Sequence, residues 1–251
     1  MTPEYLDFRF PGLDNIRCVF TTRGGGRSAG PWAGGNLSLE VGDADDDVRA
    51  NRAALRDALG VRAWQELRQV HGQDMHMDPE GDFSGGPRLD GDGLATHRPR
   101  HALVIKTADC QALLMADASG RHVAALHCGW RGNVVNFPGN GVRAFCDRYG
   151  LTPGEIMVVR GPSLGPGKSE FINFETEWGP AYAPYFNQAT RCMDLWSLTR
   201  DQLLDAGVPA ADIFSLDICT ASSPQFFSYR RDRITGRQAG IIWIEESPAG
   251  S

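Results

Sequence analysis

Apolar residues fall along this chain in two rhythms, and the switches between them predict its elements. Ala102-Leu103-Val104-Ile105, Leu113-Leu114-Met115, Val123-Ala124-Ala125-Leu126 and Ile156-Met157-Val158-Val159 are apolar at every position, as in strands covered on both faces. Ile16 to Thr22 reads as a further strand, broken at once by Arg23-Gly24-Gly25-Gly26. Val48, Leu55 and Leu59 give one side of a helix that Asp45 or Asp46 would cap and Gly60 would end. Pro138 opens a second helix, with Val142, Phe145, Cys146 and Tyr149 at spacings of three and four and Gly150 as its stop. Ser197 caps a third, from Leu198 to Ala206, ahead of Gly207. Ile213 to Ile218 reads as a strand, and Phe226 to Arg230 with Gln238 to Ile244 as a closing hairpin around Thr235-Gly236. Asp74 to Asp92, rich in Gly, Pro and Asp, reads as a long surface excursion, and Gly161 to Pro166 as a shaped loop. Interleaved strands and helices predict a mixed α/β class. With no repeat, low-complexity tract or linker to divide it, the span 1–251 reads as a single domain.

Bulk properties narrow the partners. A chain of 251 residues can bury a sizeable core. A net charge of −6 and a pI near 5.5 argue against nucleic acid or an anionic membrane as partner, while leaving room for a local basic pocket. Met1-Thr2-Pro3-Glu4-Tyr5 lacks the basic start and apolar core of a signal peptide, and no apolar run reaches the length of a membrane span. The expectation is a soluble, cytoplasmic protein; nothing sets its oligomeric state. Six irregularly spaced cysteines read as mostly buried thiols rather than a disulfide scaffold.

Chemistry gathers at loop mouths. Cys110 ends Thr107-Ala108-Asp109-Cys110, His127 opens His127-Cys128-Gly129-Trp130-Arg131-Gly132, and His71 lies upstream in Gln69-Val70-His71-Gly72. One Cys with two His is an accepted set of three zinc ligands that leaves a fourth position open. Cys110 as nucleophile with His127 as base is the rival, a thiol hydrolase using the same residues. His122 and His127 differ by five positions and so face opposite sides of one strand. His76, His97 and His101 lie in polar, loop-like surroundings, and Cys128 reads as a small buried thiol facing away from His127. Beside the glycine run, Arg23 points towards anion binding, against the plain-loop reading of the same segment.

The motifs together resemble the laccase-domain, or polyphenol-oxidase-like, YfiH family, whose members are also filed as purine nucleoside phosphorylases and peptidoglycan editing factors. The resemblance runs from Phe20 to Ile244 through Phe20-Thr21-Thr22-Arg23-Gly24-Gly25, Gln69-Val70-His71-Gly72, Asp92-Gly93-Leu94, Thr107-Ala108-Asp109-Cys110, His127-Cys128-Gly129-Trp130-Arg131-Gly132, Gly161-Pro162-Ser163, Cys219-Thr220 and Phe227-Ser228-Tyr229-Arg230-Arg231. It implies a four-layer α/β/β/α sandwich related to the catalytic domain of cytotoxic necrotising factor, with zinc held by His71, Cys110 and His127. It also implies phosphate-dependent cleavage of adenosine, inosine and methylthioadenosine to base and ribose 1-phosphate, with adenosine deamination as a further reaction. Peptidoglycan fidelity through a noncatalytic factor is the alternative within the family.

Three stretches depart from the family pattern: Cys128 stands where Ala is usual, Gln111-Ala112 replaces an apolar residue and Pro, and Gly167-Lys168-Ser169 differs after the Gly-Pro loop. Asn136-Phe137-Pro138-Gly139-Asn140 also interrupts the expected helix. Multicopper oxidation needs a type-1 site and His-x-His pairs, and this chain has six His and no such pair, so the laccase name does not describe its chemistry. Copper can still replace zinc at one Cys and two His. Phosphorolysis needs an anchored anion, for which Arg23, Arg131 and Arg230 are candidates, Arg131 first because its turn follows a proposed ligand. Asp109 either orients a ligand or closes the turn before Cys110.

Overall fold

The structure, a computed structural model, describes residues 1–246. In chain order its strands and helices are β1 (Tyr5–Phe8), β2 (Ile16–Thr21), α1 (Asp45–Leu59), β3 (Ala63–Glu66), β4 (Met75–Met77), β5 (Gly93–Thr96), β6 (His101–Thr107), β7 (Gln111–Asp117), β8 (Val123–Cys128), α2 (Trp130–Val134), α3 (Phe137–Tyr149), β9 (Ile156–Arg160), α4 (Phe174–Glu177), β10 (Phe186–Asn187), β11 (Cys192–Met193), α5 (Leu195–Asp205), β12 (Ile213–Ser215), α6 (Tyr229–Asp232) and β13 (Gln238–Ile244). The mixed α/β class is present. Among the described residues, no helix is long and apolar enough to cross a membrane.

The all-apolar runs become the strands at the centre of two sheets. One has the order β1-β2-β13-β6-β3 and the other β12-β9-β7-β8-β5-β4, with β10 and β11 forming a separate small hairpin. Ile16, Cys18, Phe20, Leu103, Ile105, Ile242 and Ile244 of the first sheet share one core with Leu94, Leu114, Ala125 and Val159 of the second. Leu55 of α1 packs with Trp64, Val104 and Ile241 on the first sheet, and Val142 and Phe145 of α3 with Leu203 of α5 pack with Leu113 and Leu126 on the second. Both faces of the central strands are therefore covered, which is why these runs carry no polar alternation. At Gly240 of β13 an added Cβ would lie 2.7 Å from the Ala112 Cβ of β7, so the glycine lets the two sheets meet closely.

Several boundaries differ from the sequence reading. The cap of α1 is Ala44 rather than Asp45 or Asp46, and the acids Asp45, Asp46 and Asp47 instead fill the first turn, where the helix dipole favours them. Asp194 rather than Ser197 caps α5, accepting from the Ser197 N–H while the Ser197 hydroxyl donates back to it at 2.7 Å. The expected closing hairpin is absent: Tyr229–Asp232 is a short helix, and β13 runs antiparallel between β2 and β6. The excursion from Asp74 to Asp92 contains β4, paired parallel with β5, and returns Asp78 and Phe83 to the interior. The expected strand from Ile213 to Ile218 closes at Ser215. Pro138 lies in the first turn of α3 as expected, and Asn136, at φ 54°, separates α3 from α2.

Candidate metal centre

The chain crosses from one sheet to the other between β6 and β7, and Cys110 sits on that crossing. His127 lies near the end of β8, paired in register with Ala112. His71 comes from the loop after β3, held at a positive φ of 61°. These three bring their donor atoms within 4.8 Å of one another, and among the described residues they form the one such His, Cys, Asp or Glu group. Cys110 Sγ lies 3.9 Å from His71 Nε2, and the two imidazole rings are 4.8 Å apart at 76°. Zinc ligand distances would set sulfur and nitrogen about 3.6 Å apart, so the Cys110–His71 pair already sits near that spacing and the group as a whole would draw in to hold an ion. His127 is buried, Cys110 half-buried and His71 exposed, which leaves the cluster closed behind and open in front. Gly129 belongs to this packing, since an added Cβ would lie 3.0 Å from both Cys110 Sγ and His71 Cδ2.

One residue that the sequence reading missed organises two of the three. Asp92 is fully buried, and its carboxylate accepts from the backbone N–H groups of Val70 (3.2 Å), His71 (3.0 Å) and Gly72 (2.7 Å) and pairs with His127 Nδ1 at 2.7 Å. Its carbonyl also accepts the His127 N–H. Occupying Nδ1 turns Nε2 of His127 towards Cys110, and gripping the turn at Gly72 fixes the strained backbone of His71. Burial alone would raise the Asp92 pKa, but His127 and the backbone donors outweigh it and lower it. The signal was faint: Asp92 precedes a glycine at the end of a polar stretch, where an acid is usually solvated.

Asp109 closes the crossing instead of orienting a ligand. At φ 99°, it accepts from Thr220 Oγ1 at 2.7 Å and from the Arg230 N–H at 2.6 Å, tying Cys110's loop to α6 and the segment before it. Burial pushes the Cys110 thiol up, but His127 and His71 overcome this and bring it down; the Cys110 thiolate and Asp92 raise His127 against its own burial. The corner thus favours the deprotonated sulfur that metal binding requires.

Two cavities meet at the cluster and share His71, Ala108, Cys110 and Tyr229. The polar one, about 390 Å³, is lined also by His127, Glu40, Gln69, Lys106 and Arg237. The other, about 280 Å³, is lined by Trp130, Leu164, Phe171, Leu195 and Arg230. Of the three expected arginine anchors only Arg230 borders either cavity. Arg23 lies over the Phe227 ring and Arg131 over the Trp130 ring. Lys106, near the end of β6, and Arg237, just before β13, escape the sequence reading because each borders a largely apolar strand, a place usual for a solvated charge.

The other expectations about side chains divide cleanly. His122 stacks on Tyr149 at 4.3 Å, away from His127, as strand parity requires. His76 bonds to the Asp90 carbonyl and His97 to Asp78. Cys128 is a buried thiol in the core under α3, its pKa driven up by burial. Gln111 donates to Asn133 and Thr199 in a buried network beneath α2 and α5, and it also borders the aromatic cavity, so that departure is anchored by packing at the cavity wall.

A family model described as multi-copper polyphenol oxidoreductase laccase matches residues 17–245. A protein named purine nucleoside phosphorylase from Pseudomonas aeruginosa is 34% identical over 256 residues, covering 98% of each chain. Purine nucleoside phosphorylase YfiH of Escherichia coli (strain K12) is 32% identical, over 94% of this chain and 97% of its own. The crystal structure of YlmD from Geobacillus stearothermophilus matches with a TM-score of 0.88 at 31% identity over 97% of both chains. That of the Bacillus licheniformis hypothetical protein YfiH matches with 0.86 at 27% identity, again over 97% of both. Sequence match and three-dimensional likeness thus span the same elements that carry His71, Cys110 and His127, and the chain belongs to the laccase-like YfiH family.

Proposed function

We propose that the protein is a zinc-dependent purine nucleoside phosphorylase that cleaves adenosine, inosine and methylthioadenosine with phosphate and also deaminates adenosine. The observation that carries this reading is the three-donor cluster at the shared wall of a polar and an aromatic cavity. His71, Cys110 and His127 would hold the metal, which would supply Lewis-acid chemistry at the wall the two cavities share. In phosphorolysis a phosphate oxygen bonds to ribose C1′ as the bond from C1′ to the purine nitrogen breaks. The electron pair leaves on the base, which then takes a proton. Trp130, Phe171 and Tyr229 suit a flat purine ring, while the polar cavity suits the anion and sugar hydroxyls. Asp92 keeps His127 in one tautomer throughout. The relatives named purine nucleoside phosphorylase support the same reading. It includes a cytoplasmic protein and the four-layer α/β/β/α arrangement shared with cytotoxic necrotising factor.

A second reading has its own observation. Cys110, His127 and Asp92 stand in series like the nucleophile, base and orienting carboxylate of a thiol hydrolase. It gives His71 no part, although His71 closes the cluster. A nucleoside panel with and without phosphate, on metal-quantified protein beside His127→Ala, separates these readings. Phosphate-dependent release of adenine that vanishes with the metal is expected. Stoichiometric metal with no turnover would instead leave a noncatalytic factor, and activity in metal-free protein blocked by a thiol reagent would favour the hydrolase.

A further inference from the structure

The polar cavity holds two cations of different standing. Lys106 is neutralised: its ammonium lies 2.9 Å from Glu40 and 3.5 Å from the buried Glu66, which also pairs with Arg52. Arg237 is not. Its guanidinium bonds only to main-chain carbonyls, from Nη1 to Thr235 (3.1 Å) and Gly236 (2.9 Å), and among the described residues no carboxylate lies within ion-pair distance. Half-buried beside Cys110's loop, it loses hydration with two carbonyls but no ion pair to offset this, and burial lowers its pKa despite the negative groups nearby.

The backbone keeps it there. The Arg237 N–H donates to Asn36 Oδ1 at 2.8 Å, and Gln238 pairs with Thr107, so Arg237 enters β13 alongside the Ala108 to Cys110 crossing. Arg237 lines the cavity and its Nε and Nη2 make no hydrogen bond among the described residues, so its planar fork keeps the pair of donors that a tetrahedral oxyanion engages bidentately. Arg230, the rival, borders the aromatic cavity and spends Nη1 on the Glu170 carbonyl.

We propose that Arg237 anchors inorganic phosphate in the polar cavity, across from the His71–Cys110–His127 cluster, a role that rests on the phosphorylase reading for its purpose. Phosphate there lies on the far side of the cluster from the aromatic cavity, so the anion and the base have separate places. Gln69 and Ser38 line the same wall and add neutral contacts.

Binding without turnover tests the subsite independently of the reaction. Inorganic phosphate is titrated calorimetrically into zinc-loaded protein free of nucleoside, for the parent chain, Arg237→Gln, Arg237→Lys and Arg230→Gln. One lost bidentate contact is expected to weaken phosphate by about tenfold or more in Arg237→Gln, with part restored by the lysine. Arg230→Gln is expected to stay within about threefold. In turnover, the KM for phosphate rises with Arg237→Gln while that for nucleoside stays. Unchanged phosphate affinity in Arg237→Gln, or loss in Arg230→Gln instead, overturns the assignment. Should Arg237→Gln not fold, the lysine variant decides: parent-like phosphate affinity there overturns the need for a fork. Adenosine 5′-monophosphate is titrated in parallel, and its binding through Arg237 in preference to the free ion overturns inorganic phosphate as occupant. Loss of phosphate binding in Arg237→Gln, in a protein that cleaves no nucleoside, would keep the subsite and overturn the phosphorylase reading.

Discussion

Two buried carboxylates in this molecule each hold a histidine at the same distance, and only one of them builds a reactive corner. Asp92 meets His127 Nδ1 and Asp78 meets His97 Nδ1, both at 2.7 Å. What the other lone pairs hold makes the difference. Asp78 spends them on Arg148 Nη2 (2.7 Å) and the Tyr149 hydroxyl (3.0 Å), and leaves the His97 ring more than half exposed. Asp92 spends them on the turn carrying His71, so a single carboxylate aims two imidazoles at one thiol. An Asp–His pair is therefore a staple in one place and the mount of the His71–Cys110–His127 cluster in the other, although the pair itself is the same.

The comparison breaks hardest at the proposed ligands. His127→Ala and Cys110→Ser are each expected to reduce bound zinc to below about a tenth of stoichiometric, with nucleoside cleavage lost in step, because two protein donors do not close a zinc site. Inductively coupled plasma analysis of dialysed protein reads this directly, and full occupancy in either variant would remove that residue from the site. Next in size is Asp92→Asn. It keeps the shape but gives up the charge behind His127 and a full acceptor for Gly72, so metal affinity is expected to drop by about 10–100-fold. His97→Ala at the other staple should leave zinc affinity where it was, and a competition titration with a chelating dye compares the two.

How far the sequence alone carries depends on whether a residue's neighbours in the chain are also its neighbours in space. The strands β6, β7, β8 and β9 and the helix α3 were visible because their pattern is local and covered on both sides. His71, Cys110 and His127 stood out as residue types at loop mouths, though their convergence was only a proposal before the crossing between sheets was known. The roles of Asp92 and Arg237 at the site are hidden in the sequence for a shared reason: each acts through the far end of another loop, on His71 in one case and beside Ala108 in the other. β13 reads as a hairpin arm because a central strand and an edge strand look alike when nearly every position is apolar. Ser197 was misread as a cap because it bonds the true cap, Asp194, three positions back.

The smallest expected effect lies at the second staple and concerns stability alone. Burial would raise the Asp78 pKa, but Arg148, Tyr149 and His97 outweigh it and hold it at about 2. A carboxyl depressed in the folded state stabilises the fold above its unfolded pKa of about 3.9, and that contribution is lost as pH falls through the folded value. Asp78→Asn is neutral at every pH and lacks it throughout. The gap in urea midpoint between parent and variant should therefore be widest and flat above about pH 5, narrow below about pH 4, and close near pH 2. Metal content should not change across the pair at neutral pH, since Asp78 holds no part of the His71 turn. A gap that stays constant down to pH 2 would mean that Asp78 acts through packing rather than charge, and the likeness between the two carboxylates would then be one of geometry only.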